Sequence, residues 1–386
     1  MRFSEFITLQ RGFDLPKSQM KEGPYPVIGS TSIIGYHDRF KALPPGVVTG
    51  RSGSLGTVQY INQKYWPHNT SLWVKDFKGN DPRYVYYQMK GMDFARFNAG
   101  AGVPTLNRNH LDSLEVDIPP LGIQKRIVEI LSAYDDLIDN NLRRIQILEL
   151  LSRNLYREWF SEFRFPGHED SSIDLTAPNA IPEGWVLKKL SEVADVIRGR
   201  SYRSVDLADD GGLPFINLKC FNRDGGFRRN GIKRYTGAYG DHHVARKGDI
   251  LIAVTDMTQE RRLVARAALV PSLDKEFGIF SMDLVRLQLK DEFPTLFLYS
   301  FLRYSGFADQ VKHYANGANV LHLSPERISE YLFLMPTTEL IDSYLEKVAP
   351  VFELINVLEN KIDNLRLSRD ALMPRLLSGE INILTE

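Results

Sequence analysis

Polar, basic and aromatic residues recur on the segments between the short strands that the sequence predicts. Arginine and lysine neutralise phosphates, while arginine, asparagine and glutamine also match the base edges of the major groove. Because such residues occur in both halves of the chain, the set indicates a surface for double-stranded DNA. In the first half the candidate DNA-binding residues are Lys17, Thr31, His37, Arg51, Ser52, Ser54, Asn69 and Arg108. In the second half they are Arg198, Arg200, Tyr202, Arg203, Lys219, Arg228, Arg229, Thr255 and Arg261.

The sequence carries no recognisable catalytic motif. The segment from Gly50 to Gly56 is rich in glycine, but its spacing fits neither a phosphate loop nor a dinucleotide loop. The segment from Asp81 to Tyr84 departs from the Asn/Asp-Pro-Pro-Tyr/Phe motif of amino-methyltransferases. His242 and His243 have no second ligand pair at zinc spacing, and no Gly-x-Ser-x-Gly elbow occurs. We therefore expect a binding protein that is not an enzyme, with no metal or cofactor of its own.

The residues from Pro119 to Phe160 predict one long helix. Apolar residues follow one another there in steps of three and four, which is the spacing of one helix face. Two consecutive steps of four, from Leu137 to Asn141 to Ile145, indicate a stutter in a heptad pattern. The full predicted stripe is Ile123, Ile127, Ile130, Tyr134, Leu137, Asn141, Ile145, Leu148, Ser152, Leu155 and Trp159.

The same helix occurs twice in the chain. A shift of 217 residues places Ile138 on Ile355 and Leu155 on Leu372, so the stretch 336–377 is a second copy. Near the start of each copy, Arg11-Gly12 lies over Arg198-Gly199 at a shift of 187 residues. The chain is therefore two tandem units, each a globular lobe followed by a long helix. The candidate helix-pairing and partner-binding positions are Ile127, Tyr134, Ile138, Ile145, Leu148, Leu155, Val348, Ile355, Ile362, Leu365 and Leu372.

Each predicted helix has about 38 residues and is roughly 57 Å long. Because its apolar stripe must be buried, we expect the two copies to pack against each other as an antiparallel coiled coil. The alternative is that each helix covers its own lobe, although a lobe of ~120 residues is only about 30–35 Å across. A rigid helix pair would hold two similar lobes at a fixed separation.

The predicted fold class is α+β, with mixed β-sheet and helices in each lobe. Short runs of β-branched and aromatic residues, bounded by glycine, proline or asparagine, predict the strands. Candidates in the first lobe include Tyr25–Gly29, Gly46–Thr49, Ser71–Val74 and Leu114–Ile118. Candidates in the second lobe include Pro214–Leu218, Asp249–Thr255, Leu263–Val270 and Leu332–Met335.

Charge is segregated along the chain, although the formal net charge is zero. Residues 1–120 carry 14 Lys/Arg against 10 Asp/Glu, and residues 186–270 carry 16 against 10. The helical stretches are acidic, with 7 against 11 in residues 121–185 and 5 against 9 in residues 338–386. Basic lobes and acidic helices predict that the lobes meet a polyanion and the helices do not.

Cysteine content and hydropathy indicate the compartment. Cys220 is the single cysteine, so the chain has no disulfide framework and fits a reducing environment. No N-terminal apolar segment resembles a signal peptide, and no apolar run approaches 18 residues. We expect a soluble cytoplasmic protein that does not bind a membrane.

Two motifs resemble those of the specificity subunits of type I restriction–modification systems. The segment from Ile118 to Val128, IPPLGIQKRIV, is similar to the Pro-Pro-Leu-x-x-Gln-x-x-Ile signature that opens a helix in that family. The segment from Ile181 to Trp185, IPEGW, is similar to the start of the family's second recognition domain. The second helix copy departs from the signature, because Met335 to Glu339 lacks both Pro-Pro-Leu and the glutamine.

The resemblance implies a non-catalytic DNA reader for a bipartite, asymmetric target. One recognition domain would serve each half-site, while the helix pair would set the gap and dock two methyltransferase subunits. Those partners would bind S-adenosylmethionine, and nuclease subunits that use ATP and Mg²⁺ would join them for cleavage. The implied segments are a recognition domain at 1–120, a long helix at 121–160, a linker at 161–185, a second recognition domain at 186–337, a second long helix at 338–378 and a tail at 379–386. The alternative interpretation is a coiled-coil scaffold or adaptor whose lobes bind no DNA.

Overall fold

The computed structural model describes residues 1–98, 102–170 and 181–383. The chain divides into two compact units: unit 1 is Met1–Asn141 with Lys361–Glu386, and unit 2 is Leu142–Asn360. The predicted linker, the predicted tail and the glycine-rich loop at 98–103 lie partly outside the described residues. Among the residues that are described, no helix combines the length and the apolar character needed to cross a membrane.

Seven strands of unit 1 form two sheets. The strands are β1 (Thr8–Arg11), β2 (Tyr25–Ile28), β3 (Ile33–His37), β4 (Gly46–Gly50), β5 (Val58–Ile61), β6 (Trp66–Pro67) and β7 (Ser71–Asp76). The larger sheet is antiparallel and has the order β1-β7-β4-β5. The smaller sheet has the order β3-β2-β6, in which β2 is antiparallel to β3 and parallel to β6.

The described helices of unit 1 cover one side of its larger sheet. They are α1 (Phe3–Phe6), α2 (Pro82–Gly91), α3 (Arg108–Asp112) and the first part of α4 (Leu121–Tyr156). Asp81 caps α2 by accepting the Arg83 and Tyr84 N–H groups, and Pro82 fits the first helical position because that position needs no donor. The inward side chains of α2, such as Tyr84, join a core with Val47 of β4.

Unit 2 repeats both sheets in the same order. Its strands are β8 (Val186–Lys189), β9 (Ala194–Arg198), β10 (Leu207–Ala208), β11 (Leu213–Ile216), β12 (Lys233–Tyr235), β13 (Val244–Arg246), β14 (Ile250–Ala253), β15 (Thr255–Asp256), β16 (Ala267–Leu269), β17 (Phe277–Phe280), β18 (Leu284–Leu289), β19 (Leu321–His322) and β20 (Leu332–Met335). The antiparallel sheet β9-β18-β14-β16 corresponds strand for strand to β1-β7-β4-β5. The series β12-β11-β17 corresponds to β3-β2-β6, and it gains β10 and β13 at its edges.

The helices of unit 2 enclose an aromatic core. They are α5 (Leu190–Val193), α6 (Thr295–Tyr304), α7 (Phe307–Val311), α8 (Pro325–Ser329) and the first part of α9 (Thr338–Leu377). A π-helical turn, Arg157–Ser161, continues α4 and brings Phe160 to the centre of this core. The Phe160 ring lies 4.9 Å from that of Tyr344 on α9 and 5.3 Å from that of Phe297 on α6. The core therefore joins both long helices to the sheets of unit 2.

The long helices α4 and α9 pack antiparallel within each unit. In unit 1, Asp135 of α4 pairs with Arg369 of α9 at 2.5 Å, and Ile127 shares a core with Leu376. In unit 2, the rings of Tyr156 and Tyr344 lie 6.2 Å apart. The predicted antiparallel pairing is confirmed, and so is the prediction of an α+β fold with two similar lobes.

Most of the predicted helix stripe faces inward. None of the eleven candidate pairing positions is exposed, and Ile127, Ile138, Val348 and Ile362 are fully buried. The remaining seven are half-buried, namely Tyr134, Ile145, Leu148, Leu155, Ile355, Leu365 and Leu372.

Three predictions about local structure were wrong. Ile130 and Leu137 were placed in the inward stripe, but both are exposed because Leu131 and Ile138 take the inward positions instead. The predicted strand Leu114–Ile118 does not form, since its pairing with residues 1–3 is limited to an isolated bridge between Glu115 and Arg2 and the backbone hydrogen bonds that flank it.

Candidate nucleic-acid interface

A cleft of about 810 Å³ opens at the end of β1 in unit 1. Its walls include Arg51 and Arg108, two of the predicted DNA-binding residues. They also include Arg11, Asp14 and Asn107, which were not among the predicted site residues. The structure therefore gathers basic and amide side chains from three separate segments of the chain into one concave surface.

Backbone contacts fix the walls of this cleft. A side chain at Gly12 would place its Cβ 2.1 Å from the His68 carbonyl oxygen, so only glycine permits the close approach of the two chains there. The Arg51 N–H donates to the Thr70 carbonyl at 2.8 Å, and the Arg51 carbonyl accepts from the Leu106 N–H at 2.8 Å. The backbone at Arg51 is thus held between two neighbouring segments, which leaves its side chain to face the cleft.

A hydrogen-bonded series crosses the mouth of the cleft. Arg11 Nη2 donates to Asp14 Oδ1 at 3.1 Å, and Asn69 Nδ2 donates to the same carboxylate oxygen. Arg51 Nη1 donates in turn to the Asn69 carbonyl oxygen at 3.3 Å. Arg11, Asn69 and Arg51 are therefore linked by hydrogen bonds around Asp14. Asn69 and Arg51 were predicted site residues, and Arg11 was not.

The other predicted residues of unit 1 lie apart from this series. Ser52 is half-buried and its carbonyl accepts from the Ser30 hydroxyl at 2.7 Å. His37 is only 6% exposed, and its Nδ1 accepts from the Lys21 N–H at 3.2 Å. The burial of His37 gives it a packing role and leaves almost none of its surface for a ligand. The predicted residues that are exposed outside the cleft lining are Lys17, Thr31 and Ser54.

The end of β9 in unit 2 is built like the end of β1. A Cβ at Gly199 would lie 2.1 Å from the Ser281 carbonyl oxygen, so glycine is again required by a close approach. Arg198, which precedes it, is exposed. Arg200 forms a parallel bridge with Ser281, as Phe13 does with His68 in unit 1. Arg200 Nε is buried and has no hydrogen-bond partner among the described residues.

A loop at residues 257–262 is held by a buried carboxylate. Asp256 is 2% exposed, and it accepts from the Thr258 N–H, the Thr258 hydroxyl and the Leu263 N–H at 2.8–2.9 Å. The predicted residue Thr255 is also buried, and its hydroxyl donates to Asp283 at 3.0 Å. Thr255 thus supports the base of the loop, with no surface to offer DNA.

The remaining predicted residues of unit 2 divide into two groups. Most are exposed or half-exposed at strand and loop ends, namely Tyr202, Arg203, Lys219, Arg228 and Arg261. Burial against Phe215, at 4.6 Å between ring centroids, raises the pKa of Tyr202, so its hydroxyl stays protonated. Arg229 instead turns towards α9, where Nε lies 3.3 Å from Glu359 and Nη2 lies 3.4 Å from Asn356. Its guanidinium therefore ties the lobe to the long helix.

Within the described ranges, no group of three His, Cys, Asp or Glu side chains is arranged to hold a metal ion. The candidate surface is made of arginine, lysine, amide and hydroxyl groups. Those groups can donate hydrogen bonds to phosphates and base edges.

A family model for the type I restriction modification DNA specificity domain matches residues 1–150 and 182–364. The chain belongs to this family. The resemblance that the sequence motifs carry is thereby confirmed, and the specificity domain occurs twice in the chain, as the repeat predicted.

Curated relatives are similar to this chain over most of their own length. The Type I restriction enzyme MjaIX specificity subunit of Methanocaldococcus jannaschii is 23% identical over 312 residues, which cover 78% of this chain and 69% of that protein. The Type I restriction enzyme HindI specificity subunit of Haemophilus influenzae is 23% identical over 349 residues, covering 72% and 71% respectively. The crystal structure of the type I S subunit from M. genitalium has the same fold, with a TM-score of 0.58 and 16% identity over 97% of this chain and 95% of that one.

Sequence reasoning missed Arg11 as a candidate site residue of the first specificity domain, although a signal was present. Arg11-Gly12 and Arg198-Gly199 occupy equivalent positions in the repeat, and Arg198 was among the candidates. Equivalence within the repeat therefore identifies Arg11. Asp14 and Asn107 carried no such signal, because they reach the cleft only through the fold of unit 1.

Proposed function

We propose that this chain is the sequence-reading subunit of a type I restriction–modification complex, and that each unit binds one half of a bipartite DNA target. The observation that carries the proposal is a framework that occurs twice with different polar side chains. The equivalent strands β1 and β9 both end in an arginine that a glycine follows, yet Phe13 comes next in unit 1 where Arg200 comes next in unit 2. Two such surfaces suit two different half-sites, since base contacts determine specificity.

The helix pair is the proposed dock for two methyltransferase subunits. Several apolar side chains of α4 remain exposed, and Ile147 is the most open of them at 65%. An apolar helix face in contact with water is typical of a protein interface. The exposed large apolar residues in the unit 2 part of α4 are Leu142, Ile147, Leu150 and Leu151. In this proposal the adenine methylation, with S-adenosylmethionine, is performed by those partners, and nuclease subunits supply cleavage.

Half-site assignment is tested with one arginine from each unit. The complex with its methyltransferase partner, carrying Arg51→Ala or Arg200→Ala, is supplied with a library of target variants, and modified adenines are sequenced. We expect Arg51→Ala to relax or weaken recognition of one half-site only, and Arg200→Ala to affect only the other. Arg164→Ala, which removes an exposed guanidinium paired with Glu158 outside the cleft and the two long helices, is the control. Equal effects of both variants on both halves would contradict the assignment of one unit to each half-site.

The spacer function is tested by shortening both long helices together. Deleting residues 138–144 and their equivalents 355–361 removes two turns from each helix and preserves the repeat register. Seven residues span about 10 Å, so the gap between half-sites should shorten by roughly three base pairs. An unchanged gap between the half-sites in the methylated sequences would contradict the proposed spacer function of the helix pair.

Salt dependence separates the DNA reader from a scaffold that binds no DNA. Phosphate contacts release counterions, so the affinity of the complex for duplex DNA should fall steeply between about 50 and 200 mM salt. The measurement is filter binding of the complex, with the methyltransferase partner alone as the control. Affinity that equals that of the partner alone at every salt concentration would favour the scaffold.

A further inference from the structure

The Arg11 side chain has a different electrostatic setting from the other arginines of the unit 1 cleft. It projects from the last residue of β1, and Gly12 holds that strand end against the His68 backbone. The guanidinium is paired with Asp14 at 3.1 Å, yet the two side chains remain 51% and 70% exposed. Arg11 is therefore oriented by its partner while its remaining N–H groups face the cleft.

We propose that Arg11 recognises a guanine in the half-site bound by unit 1, and that Asp14 is the positioning residue that directs it. This inference rests on the proposed function and assigns a base contact within it. Arginine donates two parallel hydrogen bonds to the O6 and N7 atoms of guanine, a geometry that requires a fixed guanidinium plane. Asp14 fixes that plane because its carboxylate also accepts from the Asn69 amide, which ties the pair to the cleft wall.

Charge compensation explains why Arg11 reads a base and does not bind a phosphate. A phosphate attracts an arginine through net charge, and the adjacent Asp14 carboxylate cancels most of that charge. Base edges are neutral dipoles, so a compensated guanidinium retains its directional hydrogen bonds to them. Arg108, on the same cleft, has no carboxylate within ion-pair distance among the described residues. Its charge is uncompensated, which suits Arg108 to a phosphate.

The equivalent position in unit 2 lacks this device. Arg198 lies over Arg11 in the repeat, but Ser201 stands where unit 1 has Asp14. Arg198 is exposed and makes no ion pair within the part of the chain that the structure describes. The same strand end is therefore a base contact in unit 1 and a phosphate contact in unit 2.

The test is selection of bound duplexes from a pool in which both half-sites are randomised. The wild-type complex and the variants Arg11→Ala, Arg11→Lys, Asp14→Asn and Arg108→Ala are compared, and the salt dependence of binding is measured for each. Arg164→Ala is the control, because Arg164 lies outside the cleft and the two long helices and pairs with Glu158 at 2.7 Å, with exposures of 52% and 47%.

We expect Arg11→Ala to lose about 5- to 100-fold of the preference for one G·C pair in one half-site, with preferences elsewhere unchanged. Arg11→Lys should lose it too, because lysine keeps the charge but lacks the planar fork. Asp14→Asn should weaken the same preference and raise affinity for random DNA, since it frees the charge of Arg11. Arg108→Ala should weaken all sequences alike and lower the salt slope by about one.

Two results would overturn the inference. One is a uniform loss of affinity in Arg11→Ala with a lower salt slope, which is the behaviour of a phosphate contact. The other is retention of every base preference by Arg11→Ala or by Arg11→Lys. A wild-type complex that selects no sequence at all would overturn the proposed function itself. That outcome is distinguishable from failure of the Arg11 inference, because it is observed without any variant.

Discussion

Units 1 and 2 share the order and direction of their main strands but differ at the ends of those strands. Each has an antiparallel four-stranded sheet and a second sheet with one parallel pair, which has three strands in unit 1 and five in unit 2. The connection after β2 spans residues 29–32, whereas the one after β11 spans residues 217–232. The sheets determine where the loops stand, and the loops determine which groups face a ligand. A duplicated protein can therefore acquire two different binding surfaces without altering its framework.

The polar contacts between each lobe and the long helices also differ. In unit 1, Asp135 of α4 accepts from the Tyr87 hydroxyl at 2.6 Å and pairs with Arg369 of α9. In unit 2, the buried Arg303 lies over the rings of Tyr299 and Tyr304, and the nearest carboxylate, Glu149, is 3.8 Å away. Asp135 thus has two polar partners at the first junction, while Arg303 at the second depends mainly on cation–π contacts.

The largest difference in stability between the units is expected at Asp256, the buried carboxylate that holds the 257–262 loop of unit 2. Asp256→Ala removes the acceptor for three donors and should destabilise the 257–263 segment by about 3 kcal/mol. Ser52 bridges Thr105 as Thr255 bridges His322, so Gly53 stands where unit 2 has Asp256 and unit 1 has no such carboxylate. Ser52→Ala, next to Gly53, should therefore change stability by less than about 0.5 kcal/mol. Hydrogen exchange at the Thr258 and Leu263 amides measures the first effect, with thermal unfolding of both variants as the comparison. Equal protection in Asp256→Ala and wild type would contradict it.

The two lobe–helix junctions should respond differently to loss of their arginine. Arg369→Met leaves Asp135 partly buried beside Tyr87 without its cation, which should cost about 2 kcal/mol. Arg303→Met removes a buried charge that has few partners, so stability should change by no more than about 1 kcal/mol. The comparison is made by chemical denaturation, with hydrogen exchange used to monitor each unit separately. A larger loss for Arg303→Met than for Arg369→Met would reverse this assignment.

Arg198 should show the smaller, uniform effect of a phosphate contact. Arg198→Ala is expected to weaken binding of every duplex by roughly three- to tenfold and to lower the salt slope by about one. The measurement is a salt titration of duplex binding by the complex. Lys78→Ala serves as the control, because Lys78 lies in unit 1 outside the cleft, where it pairs with Asp76. A sequence-selective loss in Arg198→Ala would make the two units alike at this position.

The smallest effect concerns acid stability of unit 2. Hydrogen bonding from Lys312, with Arg266 also nearby, lowers the pKa of Asp309 below its ordinary value. A lowered folded-state pKa means that the unfolded chain binds the proton more readily, so stability is lost as pH falls below about 4. Asp309→Asn should flatten this loss by less than about 1 kcal/mol, because the pair is half-exposed. Denaturation at pH 7 and pH 3 measures it, and an unchanged pH profile would contradict it.

Features that repeat along the chain were predictable from the sequence, and features that depend on distant contacts were not. The spacing from Ile123 to Trp159 predicts a long helix, and α4 begins at Leu121. The same spacing could not place Ile130 and Leu137, because which side of a wide apolar face turns inward depends on the opposing helix. Strand bounds were less predictable because pairing decides them, and only Ala267–Leu269 of the predicted strand 263–270 forms.

The candidate site shows the same limit. Residue type suggested Arg51 and Arg108, which do meet in one cleft. Residue type also suggested His37 and Thr255, whose burial follows from strands that are distant in the chain. A polar side chain in a short loop is exposed or buried according to its neighbours in space, and sequence composition carries little information about those neighbours.

The division of α9 between the units has a consequence for biosynthesis. Met373 and Leu376, near the end of α9, complete the core of the lobe that contains Phe3 and Phe6. The lobe that leaves the ribosome first therefore cannot close its interior until Met373 and Leu376 have been synthesised. During that interval its apolar surface stays open to chaperones, while the lobe encoded later has its own residues from both long helices already at hand.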